Sequence, residues 1–173
     1  LWRRSDSLAA KLLGGWQVTG VTQFQTGNPI TIATGDDFAG IGSSDSQPWE
    51  VSGNPKLSRV ERKFSESAAD QSFYFRTTRP DGSPLFSTPA PGTFSKTQTR
   101  NALLYGVGFQ NWNLAVFKDF ALGEARRLQF RSELFNWPNY PNWGGVNANP
   151  RSGTFGKVSG KTSERNIQLS LRY

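Results

Sequence analysis

The chain has 173 residues and a formal net charge of +7, and it contains no Cys, no His and no Met. Those absences exclude disulfides, Cys or His nucleophiles and bases, a Ser-His-Asp triad and any His/Cys zinc or haem site, so neither catalysis nor a cofactor is expected. With 35% hydrophobic and 19% charged residues beside 18 Gly and 10 Pro, the composition is not that of a helical bundle, and 13% aromatics is too many for a disordered chain.

The length suits one domain. Position 1 is Leu rather than Met, and the chain reads as a piece of a longer protein. No basic start with an apolar stretch and cleavage site is visible, and no apolar run approaches the ~18 residues of a spanning helix. That excludes helical spans and leaves β-barrel strands open, because their alternating pattern keeps mean hydropathy low. The basic residues are scattered over Arg3-Arg4, Arg59-Val60-Glu61-Arg62-Lys63 and Arg126-Arg127, so solvated loops are expected and no nucleic-acid partner.

Residues 1–15 close on Lys11-Leu12-Leu13-Gly14-Gly15, which predicts a tight turn. A strand follows, with Trp16, Val18, Gly20, Thr22 and Phe24 on one face and Gln17, Thr19, Val21, Gln23 and Gln25 on the other. Ile30 to Thr34 resumes the alternation after Gly27-Asn28-Pro29, predicting a bulged continuation, so that one strand covers 16–34. From Gly35 to about Gly106 turn formers replace the pattern. So long a loop is either functional or evidence against a compact soluble fold. Within it Val60 to Phe64 and Phe73 to Arg76 are expected to pair.

Alternation returns over 111–120, where Trp112, Leu114, Val116 and Phe120 share a face with Lys118. Ala121 to Ala125 predicts a hairpin turn. The next strand, 127–136, sets Leu128, Phe130, Ser132 and Leu134 against Gln129, Arg131, Glu133 and Phe135. After a Pro/Asn/Trp-rich stretch and a brief strand expected over 155–159, the final strand, 165–173, has Ile167, Leu169, Leu171 and Tyr173 on one side and Asn166, Gln168, Ser170 and Arg172 on the other. Strands of roughly ten residues are long enough to cross a bilayer when tilted, and short links alternate here with long ones. A water-lined lumen tolerates Arg131 and Glu133, whereas a packed core would penalise each ion by several kcal/mol.

Four segments resemble a known family. They are Gly14-Gly15-Trp16-Gln17-Val18-Thr19-Gly20 with Thr26-Gly27-Asn28-Pro29, then Gly108 to Phe120, then Arg127 to Asn136, and the terminal Ile167 to Tyr173. In this order they are similar to the end of the barrel in TonB-dependent outer-membrane receptors, in the subgroup with an N-terminal carboxypeptidase-regulatory-like domain. The resemblance covers somewhat under half of the chain and leaves the long loop unmatched. It departs after Asn136, where this chain has Trp137, Tyr140 and Trp143 in place of a His and smaller aromatics. The resemblance implies an all-β fragment, the last four antiparallel strands of a plugged barrel of about 22 strands, with 35–106 as an exterior loop. It implies TonB-coupled uptake or binding of an external substrate at the outer membrane of a Gram-negative bacterium. The implied partners are outer-membrane lipid, the barrel-assembly machinery and the inner-membrane energy complex, the last acting through an N-terminal plug part that precedes this segment.

On that reading Ile167, Leu169, Leu171 and Tyr173 form an assembly signal, and Trp16, Trp112 and Phe120 are membrane-interface aromatics. Trp49, Phe73, Tyr74, Phe75 and Phe86 are the loop aromatics available to an external ligand. Asp36-Asp37 and Asp45 do not match a calcium loop and are expected to be solvated turn acids, and Tyr105-Gly106-Val107-Gly108 lacks the third glycine and helix of a phosphate loop. The alternatives are a soluble β-sandwich carbohydrate-binding module and a passive porin or adhesin barrel. A sandwich needs one uniformly apolar inner face.

Overall fold

The computed structural model describes residues 8–42, 47–65, 73–97, 101–123, 126–158 and 160–173. Arg3-Arg4, Asp45 and the tip of the 121–125 turn therefore lie outside the described residues. The chain divides into two compact units, one of 1–24, 110–141 and 163–173 and one of 25–109 and 142–162.

The first unit is a sheet. A short helix, α1 (Leu8–Leu13), precedes β1 (Trp16–Gln25), so the predicted turn is one helical turn and a half ending at Gly15, whose φ of 71° suits glycine. Leu-Ala-Ala-Lys-Leu-Leu is a run of strong helix formers, which explains the difference. Four strands form the sheet in the order β1, β6 (Phe109–Ala121), β7 (Arg127–Phe135), β10 (Asn166–Arg172). The β6–β7 hairpin pairs Leu114 with Leu134 through Ala121 with Arg127, and the Leu122 N–H donates to the Arg126 carbonyl across the turn at 2.9 Å. β10 is antiparallel to β7, from Asn166 opposite Phe135 to Arg172 opposite Gln129. β1 is antiparallel to β6, since Gly15 accepts from the Asp119 N–H and Phe24 meets Trp112 at the far end. Gly20 sits where the strands approach most closely: a Cβ there would lie 2.9 Å from the Asn113 carbonyl oxygen. β7 is followed by Asn136, in the left-handed region at φ 48°, whose amide donates to the carbonyls of Tyr140 and Ser163.

The second unit is built from short pairs: β2 (Pro29–Ile30) with β5 (Asn101–Tyr105), β3 (Glu50–Val51) with β4 (Phe86–Ser87), and β8 (Asn142–Trp143) with β9 (Lys161–Thr162). The single strand expected over 16–34 is thus corrected. It ends at Gln25, and Pro29–Ile30 joins β5, while 31–34 contributes only a bridge from Ala33 to Pro48. Gly27 is the cause: its Cα lies so close to Gly106 that a Cβ would sit 1.9 Å from that carbonyl oxygen, and the Gly106 N–H donates to Asn28. The pairing expected between 60–64 and 73–76 is corrected too, since Phe75 bridges to Lys56 while Glu61 and its neighbours form turns. In 155–158 only Val158 bridges, to Val146; turns over 151–156 replace the predicted strand.

Ile32, Phe75, Leu85, Phe86, Leu104 and Val158 form this unit's core, with Tyr74 beside them. Phe75, Phe86 and Phe155 meet edge to face at 5.2–5.6 Å between centroids.

Candidate functional site

The sheet's two faces differ in chemistry, and the register fixes which residues share each. Through β6, β7 and β10, one face reads Leu114, Val116, Lys118 and Phe120, then Leu128, Phe130, Ser132 and Leu134, then Ile167, Leu169 and Leu171. Gly20 opens toward Leu114, which adds Trp16, Val18 and Phe24 of β1 to that face. The other face carries Phe117, Asp119, Gln129, Arg131, Glu133, Gln168, Ser170 and Arg172.

The apolar face is open. Leu169 and Leu171 are 66% and 69% exposed, and Trp16, Val18 and Phe24 are exposed as well. Among the described residues, the only buried side chains of this unit are Lys118 and Asn136. A water-soluble fold does the reverse, and so wide an apolar surface calls for an apolar medium. Aromatics mark its two ends. Trp16 and Phe120 stand at one, and Tyr173 lies one alternation beyond Leu171, which is opposite Phe130. Phe24 and Trp112 meet edge to face at 5.4 Å at the other. From Trp112 to Phe120 is eight residues, about 26 Å along a strand and about 20 Å along the membrane normal at a tilt near 40°, close to the band that aromatic girdles flank.

Lys118 is the exception that the alternation leaves on the apolar face. Its ammonium turns to the end of the sheet, donating to the Lys11 carbonyl at 2.8 Å and to the Gly14 carbonyl, with the rings of Phe120 and Trp16 at 5.1 and 5.7 Å. These carbonyls end α1, where a cation is favoured. The aliphatic stem stays on the apolar face while the charge reaches polar groups.

Arg131, Glu133 and Asp119 find partners on the polar face itself. Arg131 donates to Glu133 at 2.5 Å and lies 5.0 Å over the Phe117 ring, and the Gln129 amide donates to Asp119 at 2.9 Å.

In the second unit the loop aromatics separate. Phe75 and Phe86 are interior, where their rings hold the core, and Tyr74 is buried with one edge on a cavity. Trp49 is half-buried and donates through Nε1 to the Thr34 hydroxyl, while Phe73 is exposed under Lys157. Asp37 is a turn acid of a structured kind. Desolvation raises its pKa, but the N–H groups of Gly42, Ile41 and Gly40 and the Gln47 amide outweigh that and hold it below the usual carboxylate range. Asp36 is lowered first by the Thr34 hydroxyl and then by its ion pair with Arg151 at 3.0 Å. Tyr105 to Gly108 leaves β5 and holds Asn28 and Tyr74 through Gly106 rather than framing a phosphate loop.

The sequence profile of the outer membrane beta barrel domain matches residues 2–168. The chain belongs to that family. It is therefore an outer-membrane β-barrel domain. No curated protein and no solved structure matches the chain. The soluble-sandwich alternative fails on the same ground, because neither face of this sheet is a buried apolar layer.

Proposed function

We propose that this domain is the closing part of a TonB-dependent receptor barrel of a Gram-negative bacterium, taking up an external substrate and carrying no catalytic activity. The observation that supports this most is the inverted sheet, apolar outward and hydrogen-bonded charge inward, combined with the family's position in the outer membrane. The motif order from Gly14-Gly15-Trp16 to the terminal Tyr173 supports the receptor subgroup and a barrel of about 22 strands. The open edges of β1 and β10 are then covered by further strands, since unpaired backbone groups are costly in hydrocarbon. The short links at 11–15 and 121–125 face the periplasm, and 35–106 faces the exterior. Ile167, Leu169, Leu171 and Tyr173 serve the barrel-assembly machinery as its signal, and Trp16, Trp112 and Phe120 anchor the lipid interfaces.

A plugged receptor and a passive porin differ in resting conductance. The complete protein inserted in a planar bilayer is expected to carry no steady current, while a stable open-channel current would overturn coupled uptake in favour of the porin.

A further inference from the structure

The second unit contains a cavity of about 580 Å³, within the size range of small-molecule sites. Its described lining combines three cations, Lys56, Arg59 and Arg62, with apolar surface from Phe64, Tyr74 and Val107, and includes no carboxylate. Glu61, the acid within the same turn, is directed elsewhere. It accepts from the Ser58 N–H at 2.8 Å and pairs with Arg76 at 2.7 Å, and it lines a separate, smaller cavity.

Arg62 is a built element rather than a loose surface cation. Its guanidinium lies 4.4 Å over the Tyr74 ring, and Nη2 donates to the Leu57 carbonyl at 3.0 Å. Its Nε is buried and has no acceptor among the described residues. Tyr74 is fixed in turn, donating its hydroxyl to Gly106 at 3.0 Å and stacking on Phe64 at 6.0 Å. Burial raises the Tyr74 pKa against the influence of Arg62, so the phenol stays neutral and the cations keep their excess charge. A partly desolvated guanidinium beside two further cations selects an anion, and a carboxylate accepts charge-assisted hydrogen bonds from such groups. The exposed part of Phe64 and Val107 selects an apolar body attached to that anion. An all-round hydrophilic ion such as free phosphate would leave those surfaces without a partner.

We propose that this cavity binds a small organic carboxylate with an apolar face, either an aromatic acid or an acidic sugar. Its place in uptake rests on the exterior position given above to the loop, whereas binding itself does not.

The test is calorimetric titration of the complete protein in detergent with 2-naphthoate and with digalacturonate, each against its neutral derivative, the carboxamide and the methyl ester. Saturable binding of either acid, at least about tenfold tighter than its neutral derivative and weakened by salt, is the expected result. Which acid binds distinguishes the two sources. Lys56→Gln combined with Arg59→Gln is expected to weaken binding about tenfold or more, and Arg59→Lys to retain most of it. Equal affinity for acid and neutral derivative, displacement by millimolar inorganic phosphate, or unchanged binding by the double variant would each overturn the proposal. The acid-against-amide comparison uses unmodified protein and stands if the double variant does not fold. Binding together with an open-channel current keeps the site and removes coupled uptake, whereas a closed barrel that binds neither acid removes the site alone.

Discussion

Replacing Leu169 with Arg tests the assignment of the sheet's faces. Leu169 lies on β10 opposite Ser132, between Ile167 and Leu171, and is two-thirds exposed. It is four residues from Tyr173, about 13 Å along the strand and about 10 Å along the normal at a tilt near 40°, which puts it close to the middle of a ~25 Å apolar band. A cation near the midplane costs about 2 to 4 kcal/mol, a factor of about 30 to 900 in the folding equilibrium, with the lower end reached if the guanidinium snorkels to an interface. The neighbouring change, Gln168→Arg, adds the same charge to the opposite face, across from Glu133. There it enters water beside a carboxylate and is expected to shift stability by less than about 0.5 kcal/mol. Urea unfolding of both variants in liposomes, read by tryptophan fluorescence and by the heat-modifiable fraction on gels, gives the two values. Equal losses would show that the alternation does not separate lipid from lumen.

Lys118→Met keeps the unbranched stem but leaves the Lys11 and Gly14 carbonyls without their donor. A loss of about 1–3 kcal/mol is expected, with faster proteolysis at 11–15, and a more stable variant would show that the ammonium does not cap this turn. Glu61 carries a pH dependence. Hydrogen bonds from the Ser58 side chain and backbone, and then Arg76, lower its pKa from 4.5 to about 2. Its contribution is complete above the unfolded value and disappears as pH falls from about 4.5 through about 2, so amide-exchange protection of Ser58 is expected to fall across that window. Glu61→Gln should remove the dependence, and a profile unaffected by that change would place the titration elsewhere.

The sheet was legible because its determinants are local. A period of two from Trp112 to Phe120, and from Ile167 to Tyr173, already decides which side chains share a face, and the observed register preserves those sets. The second unit was not legible, because its contacts are set by pairs distant in sequence. Nothing around Pro29–Ile30 signals a partner at Asn101–Tyr105, and the five residues of β5 are too short an apolar run to separate from a loop. Phe75 and Phe86 offered the same ambiguity. An aromatic among turn formers reads equally as a ligand contact or as core, and only burial separates them. The helix over Leu8–Leu13 did have a signal, in its run of strong helix formers, but the following glycines suggested a turn instead. For the cavity the signal was the basic cluster from Arg59 to Lys63, which read as one of several scattered groups of solvated loop charges. The fold points its acid, Glu61, at Arg76 and away from the cavity.

The two units bury opposite kinds of side chain, as the proposed difference in the medium each meets requires. In the second unit, Phe75, Ile32 and Leu104 gain by leaving water, so that core forms as any soluble core does. In the sheet unit Leu169, Leu171 and Val18 stay exposed, and on the proposed lipid-facing reading they gain nothing by turning inward, because hydrocarbon is as apolar as they are. What must be sequestered there is polarity. Lys118 is the residue whose position on the apolar face conflicts with its charge, and the conflict is resolved locally by the carbonyls of Lys11 and Gly14 and the rings of Trp16 and Phe120. A lysine among apolar residues is a fault in a soluble strand. Two residues from Phe120 at the end of this sheet, it donates instead to the carbonyls of Lys11 and Gly14 at the end of a short helix, so its charge is satisfied without leaving the strand.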